Sequence, residues 1–289
     1  MHRPSFTILI VGITLIFSSH KALSQATRLL AKADSLTQAE AFEEAIQFLE
    51  DFIQDYPNRK MDQARAYFLI SYNYMQLGQY DLAERSNNQS FRIRTTLGSD
   101  EVGENYMRTG SLLLLKGDYE GAFDNLFKAR ELPTDDPQIY ALINGYIASA
   151  FTELGNQEKA LEHYRESLEI LEIELGEDHP DVATSYYNIG KVHLAGGQTE
   201  NAKENLQKAL QLELAHHNRK HQLGNIYNAQ GILTFQSEEK EGALKLHQKA
   251  LEAFYKAYVE KHRETARIQI NITRVHISLG NQAKKKKQI

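Results

Sequence analysis

The sequence predicts an all-α protein, an α-solenoid of stacked helical hairpins with six complete repeats and one half repeat. Three observations lead there. A short phrase recurs around an alanine, at Ala45, Ala83, Ala122, Ala160, Ala202 and Ala243, with spacings of 38 to 42 residues. Twelve residues before each alanine stands a small residue, Ala33, Ser71, Gly110, Ala148, Gly190 and Gly231, and Thr273 opens a seventh unit in the same register. Beyond Pro4, the prolines are Pro57, Pro133, Pro137 and Pro180, all between units, so none interrupts a helix.

Composition agrees with a globular chain and removes several function classes. The protein has 289 residues, 42% hydrophobic and 25% charged, within the ordinary globular range. It has no cysteine, which excludes a disulfide framework, thiolate zinc or iron–sulfur sites and a cysteine nucleophile. The formal net charge is −5, and four of the cations are Lys284 to Lys287 at the end, so the body of the chain is acidic. Phosphate backbones would be repelled, and nucleic acid is not expected as a partner.

The elements follow in order. His2 and Arg3 precede an apolar run from Phe6 to Phe17, and Ala22-Leu23-Ser24 then offers a small-x-small cleavage site. Residues 1–24 are read as a signal peptide cleaved near Ser24/Gln25, because the run falls short of the roughly 20 apolar residues that span a bilayer. The mature chain is then periplasmic or secreted, with no stable membrane insertion after cleavage. Residues 25–280 form the repeat array and 281–289 a basic tail expected to be disordered.

Within each repeat, two antiparallel helices approach closely only where one offers little side chain, so the small residue of the first helix (position 8) is expected against the alanine of the second (position 20). Position 15 is the turn. It is Gly78, Gly117, Gly155, Gly197 and Gly280, where a positive φ would end the first helix, but Glu40 and Glu238 in the first and sixth repeats. Position 4, a large residue between hairpins, is Leu29, Tyr67, Tyr106, Tyr186 and Tyr227, broken by Asn144 and Gln269. Asp136-Pro137 and Asp178-His179-Pro180 read as helix starts for the fourth and fifth repeats. The seventh repeat, ARIQINITRVHISLG, should turn at Leu279-Gly280, yet Lys285 stands where the next alanine is due. Its isoleucines resemble a helix awaiting a neighbour, and the chain is read as the front of a longer or frameshift-shortened protein.

The recurring phrases LGQYDLAERS, KGDYEGAFDNL, LGNQEKALEHY and GGQTENAKENL resemble the turn and second helix of a tetratricopeptide repeat (TPR). The stretch from Leu175 to Glu213 is similar to the kinesin light chain type of that repeat. The resemblance implies a right-handed superhelix whose first helices line a concave groove for a protein or peptide. Carried over by register, the candidate groove residues are Arg65, Tyr72, Arg108, Tyr146, Tyr187, Asn188, Lys191, Asn228, Asn271 and Arg274. Arginine, tyrosine and asparagine suit such a surface, since rings bury area while amides satisfy an extended backbone. Asn188 and Asn271 match the asparagine position of the kinesin light chain type, whereas the sixth repeat has Ala229 there, beside Asn228.

No GxSxG, GxxxxGK[ST], HExxH or GxGxxG motif is present, so no catalytic residue and no cofactor is assigned. The best metal candidate, His216 to His221, is read as a basic helix terminus rather than a metal site. His193, His247 and His276 are read as packing residues. The expected function is an exported, non-enzymatic scaffold or adaptor. The alternative is a truncated sensory or recruiting TPR region of a larger caspase-like protease or histidine kinase.

Overall fold

A computed structural model describes residues 25–134, 136–217, 219–257 and 263–286. All regular structure among them is helical: α1 (25–38), α2 (Phe42–Asp55), α3 (Lys60–Gln76), α4 (Tyr80–Leu97), α5 (Val102–Lys116), α6 (Tyr119–Glu131), α7 (Pro137–Glu153), α8 (Gln157–Leu175), α9 (Pro180–Ala195), α10 (Thr199–Leu212), α11 (Lys220–Gln236), α12 (Lys240–Ala257) and α13 (Arg263–Lys286). The residues read as a signal peptide lie outside the described set.

The chain divides into two compact units, one carrying α1 to α4 and the other α5 to α13. In the second unit each odd-numbered helix from α5 to α11 pairs with the even-numbered helix after it, and successive odd-numbered helices pack on one another. This is the stack of hairpins that the repeat register predicts.

The turns follow one design. At Gly117, φ is 83° and the Asp118 amide reaches back to the Leu113 carbonyl at 2.9 Å, closing α5. Asp118 then caps α6 by accepting from the Gly121 amide at 3.0 Å. Gly78, Gly155 and Gly197 share the positive φ. Glu40 and Glu238 share it too, at 61° and 64°, so the sequence departs from the glycine rule while the backbone does not. Gly280 does depart: it lies inside α13, which continues to Lys286, so the turn expected at Leu279-Gly280 is absent.

All six position-20 alanines are fully buried. What the small position-8 residue meets, however, lies one turn further along the second helix. A Cβ on Gly110 would sit 2.6 Å from Leu126 Cγ, one on Gly190 2.9 Å from Leu206 Cγ, and one on Gly231 2.7 Å from His247 Cε1. These partners belong to the series Leu49, Asn87, Leu126, Tyr164, Leu206 and His247, every member of which is buried. The alanine contributes its backbone instead, the Ala122 carbonyl lying 3.2 Å from the same Gly110 Cβ. Alanine at that position leaves its backbone open to the close approach of the first helix.

Polar contacts pin neighbouring hairpins of the second unit. Tyr186 Oη donates to Glu172 Oε1 at 2.9 Å, linking α9 to α8, and burial together with this carboxylate pushes the phenol pKa up to about 12. After α10, a π-helical turn (Glu213–His217) leads to α11. Glu213 is fully buried and pairs with Arg219, whose guanidinium also donates to the Pro180 carbonyl at 2.8 Å and to Thr184 Oγ1 at 3.2 Å. The junction is thus held by a shared guanidinium, a contact that the basic run alone does not announce. Asp178, read as part of a helix start, instead faces His216 Nε2 at 3.3 Å, and His179 caps α9 by accepting from the Asp181 amide.

Candidate functional site

The first helices of the fifth, sixth and seventh repeats, α9, α11 and α13, line an open cavity of about 440 Å³. Five of the sequence-derived groove residues line it: Tyr187 and Lys191 from α9, Asn228 from α11, and Asn271 and Arg274 from α13. Arg267 joins them, above a floor that includes Leu194, Ala229 and Ile232. No acidic side chain lines the cavity.

Its geometry follows from the hairpin packing. Tyr187 packs with Leu206, Ile226 and Leu233 in one apolar cluster, which fixes the ring and leaves it only 8% exposed. The Lys191 ammonium lies over that ring, 5.6 Å from its centroid. Tyr187, with Tyr164 and Glu153, pushes the lysine pKa up while burial and Arg267 pull it down, and the net direction is upward. Lys191 is therefore a cation at neutral pH. Asn271 Nδ2 donates to Asn228 Oδ1 at 2.9 Å, joining α13 to α11 across the wall. That bond leaves the Asn228 amide hydrogens and the Asn271 carbonyl oxygen as the polar groups of the pair not bound to each other.

The other candidates fall elsewhere. Asn188 is half-buried on α9 outside the cavity lining, and Tyr146 is half-buried on α7. Arg108, read as groove surface, is 6% exposed and belongs to the interior of α5. In the first unit, Tyr72 is half-buried on α3 and Arg65 is exposed, its Nη2 lying 3.3 Å from Asp34 Oδ2. Burial raises the Asp34 pKa and Arg65 lowers it in part. Arg267 pairs with Glu264 at 2.7 Å.

Ile232 holds a groove-facing register position of the sixth repeat, whereas Leu194 was not among the site candidates because a floor residue carries no chemistry in sequence; only the register of α11 against α9 reveals it. Among the described residues no group of three or more His, Cys, Asp or Glu stands where it could hold a metal, and no helix is long and apolar enough to cross a membrane. His193 and His247 are buried, as packing residues should be, whereas His276 is exposed.

Comparison with known proteins places this arrangement. Tetratricopeptide repeat profiles match residues 29–59, 64–95 and 139–213. The photosystem I assembly protein Ycf3 of Acaryochloris marina (strain MBIC 11017) is 33% identical over 101 residues, which are 34% of this chain and 55% of that protein. The chain thus aligns with about half the length of that curated relative. Among solved structures, the APC/C hetero-tetramer Cut9–Hcn1 matches with a TM-score of 0.62 at 14% identity, covering 86% of this chain and 42% of that one. A Rap protein complexed with competence and sporulation factor matches with a TM-score of 0.62 at 14% identity, covering 88% and 75%. At that identity the likeness concerns the fold. The chain carries tetratricopeptide repeats, folded as packed helical hairpins in an all-α protein.

Proposed function

We propose that this protein is a non-enzymatic scaffold or adaptor that holds a protein or peptide partner in the cavity between α9, α11 and α13. One observation carries the reading: five side chains on three separate helices, each from the expected inward register, converge on one 440 Å³ space with an apolar floor and a polar rim. That volume lies in the range of ligand-binding clefts. The solved Rap protein complexed with competence and sporulation factor supplies a relative by fold whose structure includes a bound factor. The likeness of the fifth repeat to the kinesin light chain type, with its 42-residue spacing to the fourth, suits the same reading. Export belongs to it as well, on the strength of the charged start, apolar run and Ala22-Leu23-Ser24.

The test is affinity capture with the full chain against the Ile232→Asp variant, which puts a charge on the cavity floor at a half-buried position. The reading expects a defined partner retained by the native chain and lost by the variant, with the helical circular dichroism unchanged. Equal capture by both proteins would remove the cavity from the account.

A further inference from the structure

The cavity's cations are unequally provided for. Arg267 has Glu264 as its counter-ion, at 2.7 Å. Lys191 lies over the Tyr187 ring and feels the Glu153 carboxylate only at longer range, and neither Lys191 nor Arg274 has an ion-pair or hydrogen-bond partner among the described residues. Lys191 is half-buried and held as a cation by its surroundings, yet no carboxylate is in ion-pair contact with it. No acid lines the cavity to supply one, although the body of the chain is acidic. An acidic protein that gathers three cations around one concavity, and keeps its own abundant carboxylates out of the lining, has a wall complementary to negative charge.

The rest of the lining says what carries that charge. The Asn228 amide can still donate and the Asn271 carbonyl can still accept, the pairing that an extended peptide backbone requires. Leu194, Ala229 and Ile232 offer an aliphatic floor beside the cations. An inorganic anion would use the cations and leave the floor and amides idle, whereas a peptide uses all three.

We infer that the occupant is an extended peptide segment presenting an acidic side chain next to an aliphatic one, the carboxylate set between Lys191 and Arg274 and the aliphatic group on Ile232. This rests on the peptide-binding reading above and narrows it to a ligand class. Lys191 is half-buried, so a carboxylate set against it is screened less by solvent than one at an exposed rim, and affinity depends on it more steeply.

The experiment uses the full chain and a panel of fluorescein-labelled random decapeptides, each paired with a twin in which every Asp and Glu is replaced by Asn and Gln. Fluorescence anisotropy at 50 mM and 500 mM salt reads both members of each pair. The expected result is a set of acidic peptides that bind at least about tenfold more tightly than their amide twins, a factor worth about 1.4 kcal/mol, with the gap shrinking at high salt. Lys191→Met, which keeps an unbranched stem over Tyr187, and Arg274→Gln, at an exposed position, should each narrow the gap. If the peptides and twins bind equally, the acidic preference is overturned while the peptide-binding reading stands. If acidic peptides win but neither variant narrows the gap, the placement of the carboxylate is overturned. Should no peptide of either kind bind, both the inference and the reading beneath it fall.

Discussion

Asn271 Nδ2 donates to Asn228 Oδ1 at 2.9 Å, so two residues 43 apart in sequence join the seventh repeat to the sixth at the candidate site. Asn228 is 4% exposed, so its carbonyl oxygen is largely shielded from solvent once the partner is removed. Asn271→Ala should destabilise the second unit by about 1–2 kcal/mol. Urea melts of the variant and the native chain check this, and an unchanged midpoint would mean the bond contributes nothing.

The glycines separate into two kinds. Gly190→Ala would bring a methyl within 2.9 Å of Leu206 Cγ and 3.2 Å of the Leu206 amide nitrogen, against backbone that cannot yield. A cost of about 1–3 kcal/mol is expected. Gly145, also inside a helix, would meet only Ser167 Oγ at 3.6 Å, so Gly145→Ala should stabilise by about 0.5–1 kcal/mol. Thermal melts of the two variants should therefore move in opposite directions.

Glu238 occupies a turn with φ of 64°, where its Cβ crowds the following carbonyl. Glu238→Gly should raise stability by up to about 1 kcal/mol, the relief of strain exceeding the entropy gained by the unfolded chain. Gly155→Glu, the reverse change at the matching turn with φ of 76°, should lower it by a similar amount. Differential scanning calorimetry distinguishes these signs.

His247 gives the second unit a pH dependence. It is 1% exposed, its Nδ1 has no hydrogen-bond partner among the described residues, and burial lowers its pKa. The unfolded state therefore binds the proton more readily, and the neutral ring's contribution is complete above the ordinary histidine value of about 6.5. It declines as pH falls through the depressed folded value. His163 on α8, also lowered by burial, adds in the same sense. His247→Leu installs the residue found opposite Gly110 and Gly190, and should flatten the stability profile between pH 7.5 and 5, as denaturant titrations would show.

The repeat register was legible because close helix crossings impose the same small residues each time; a Cβ on Gly110, Gly190 or Gly231 would lie under 3 Å from a side chain. Five cavity residues were legible for the same reason, since the register fixes which way a first-helix residue points. What sequence could not convey is depth and non-local pairing. Arg108 occupies a groove register position but lies in the interior, as does Arg94, which is 1% exposed and stacks its guanidinium 5.0 Å from the Phe68 ring. Gly280 was misread because a glycine signals a turn only where the following helix folds back. With no second helix described after it, α13 continues through Gly280, leaving Ile270 and Ile277 more than half exposed.

The central claim is that the cavity of α9, α11 and α13 is where a partner sits. A photo-crosslinking scan in cells tests it most directly, with p-benzoylphenylalanine placed singly at Ile232 and Gln236 in the cavity and at Tyr255, an exposed residue of α12. The account predicts a discrete adduct at Ile232 and Gln236 and none at Tyr255. Adducts at Tyr255 with none at either cavity position would contradict it.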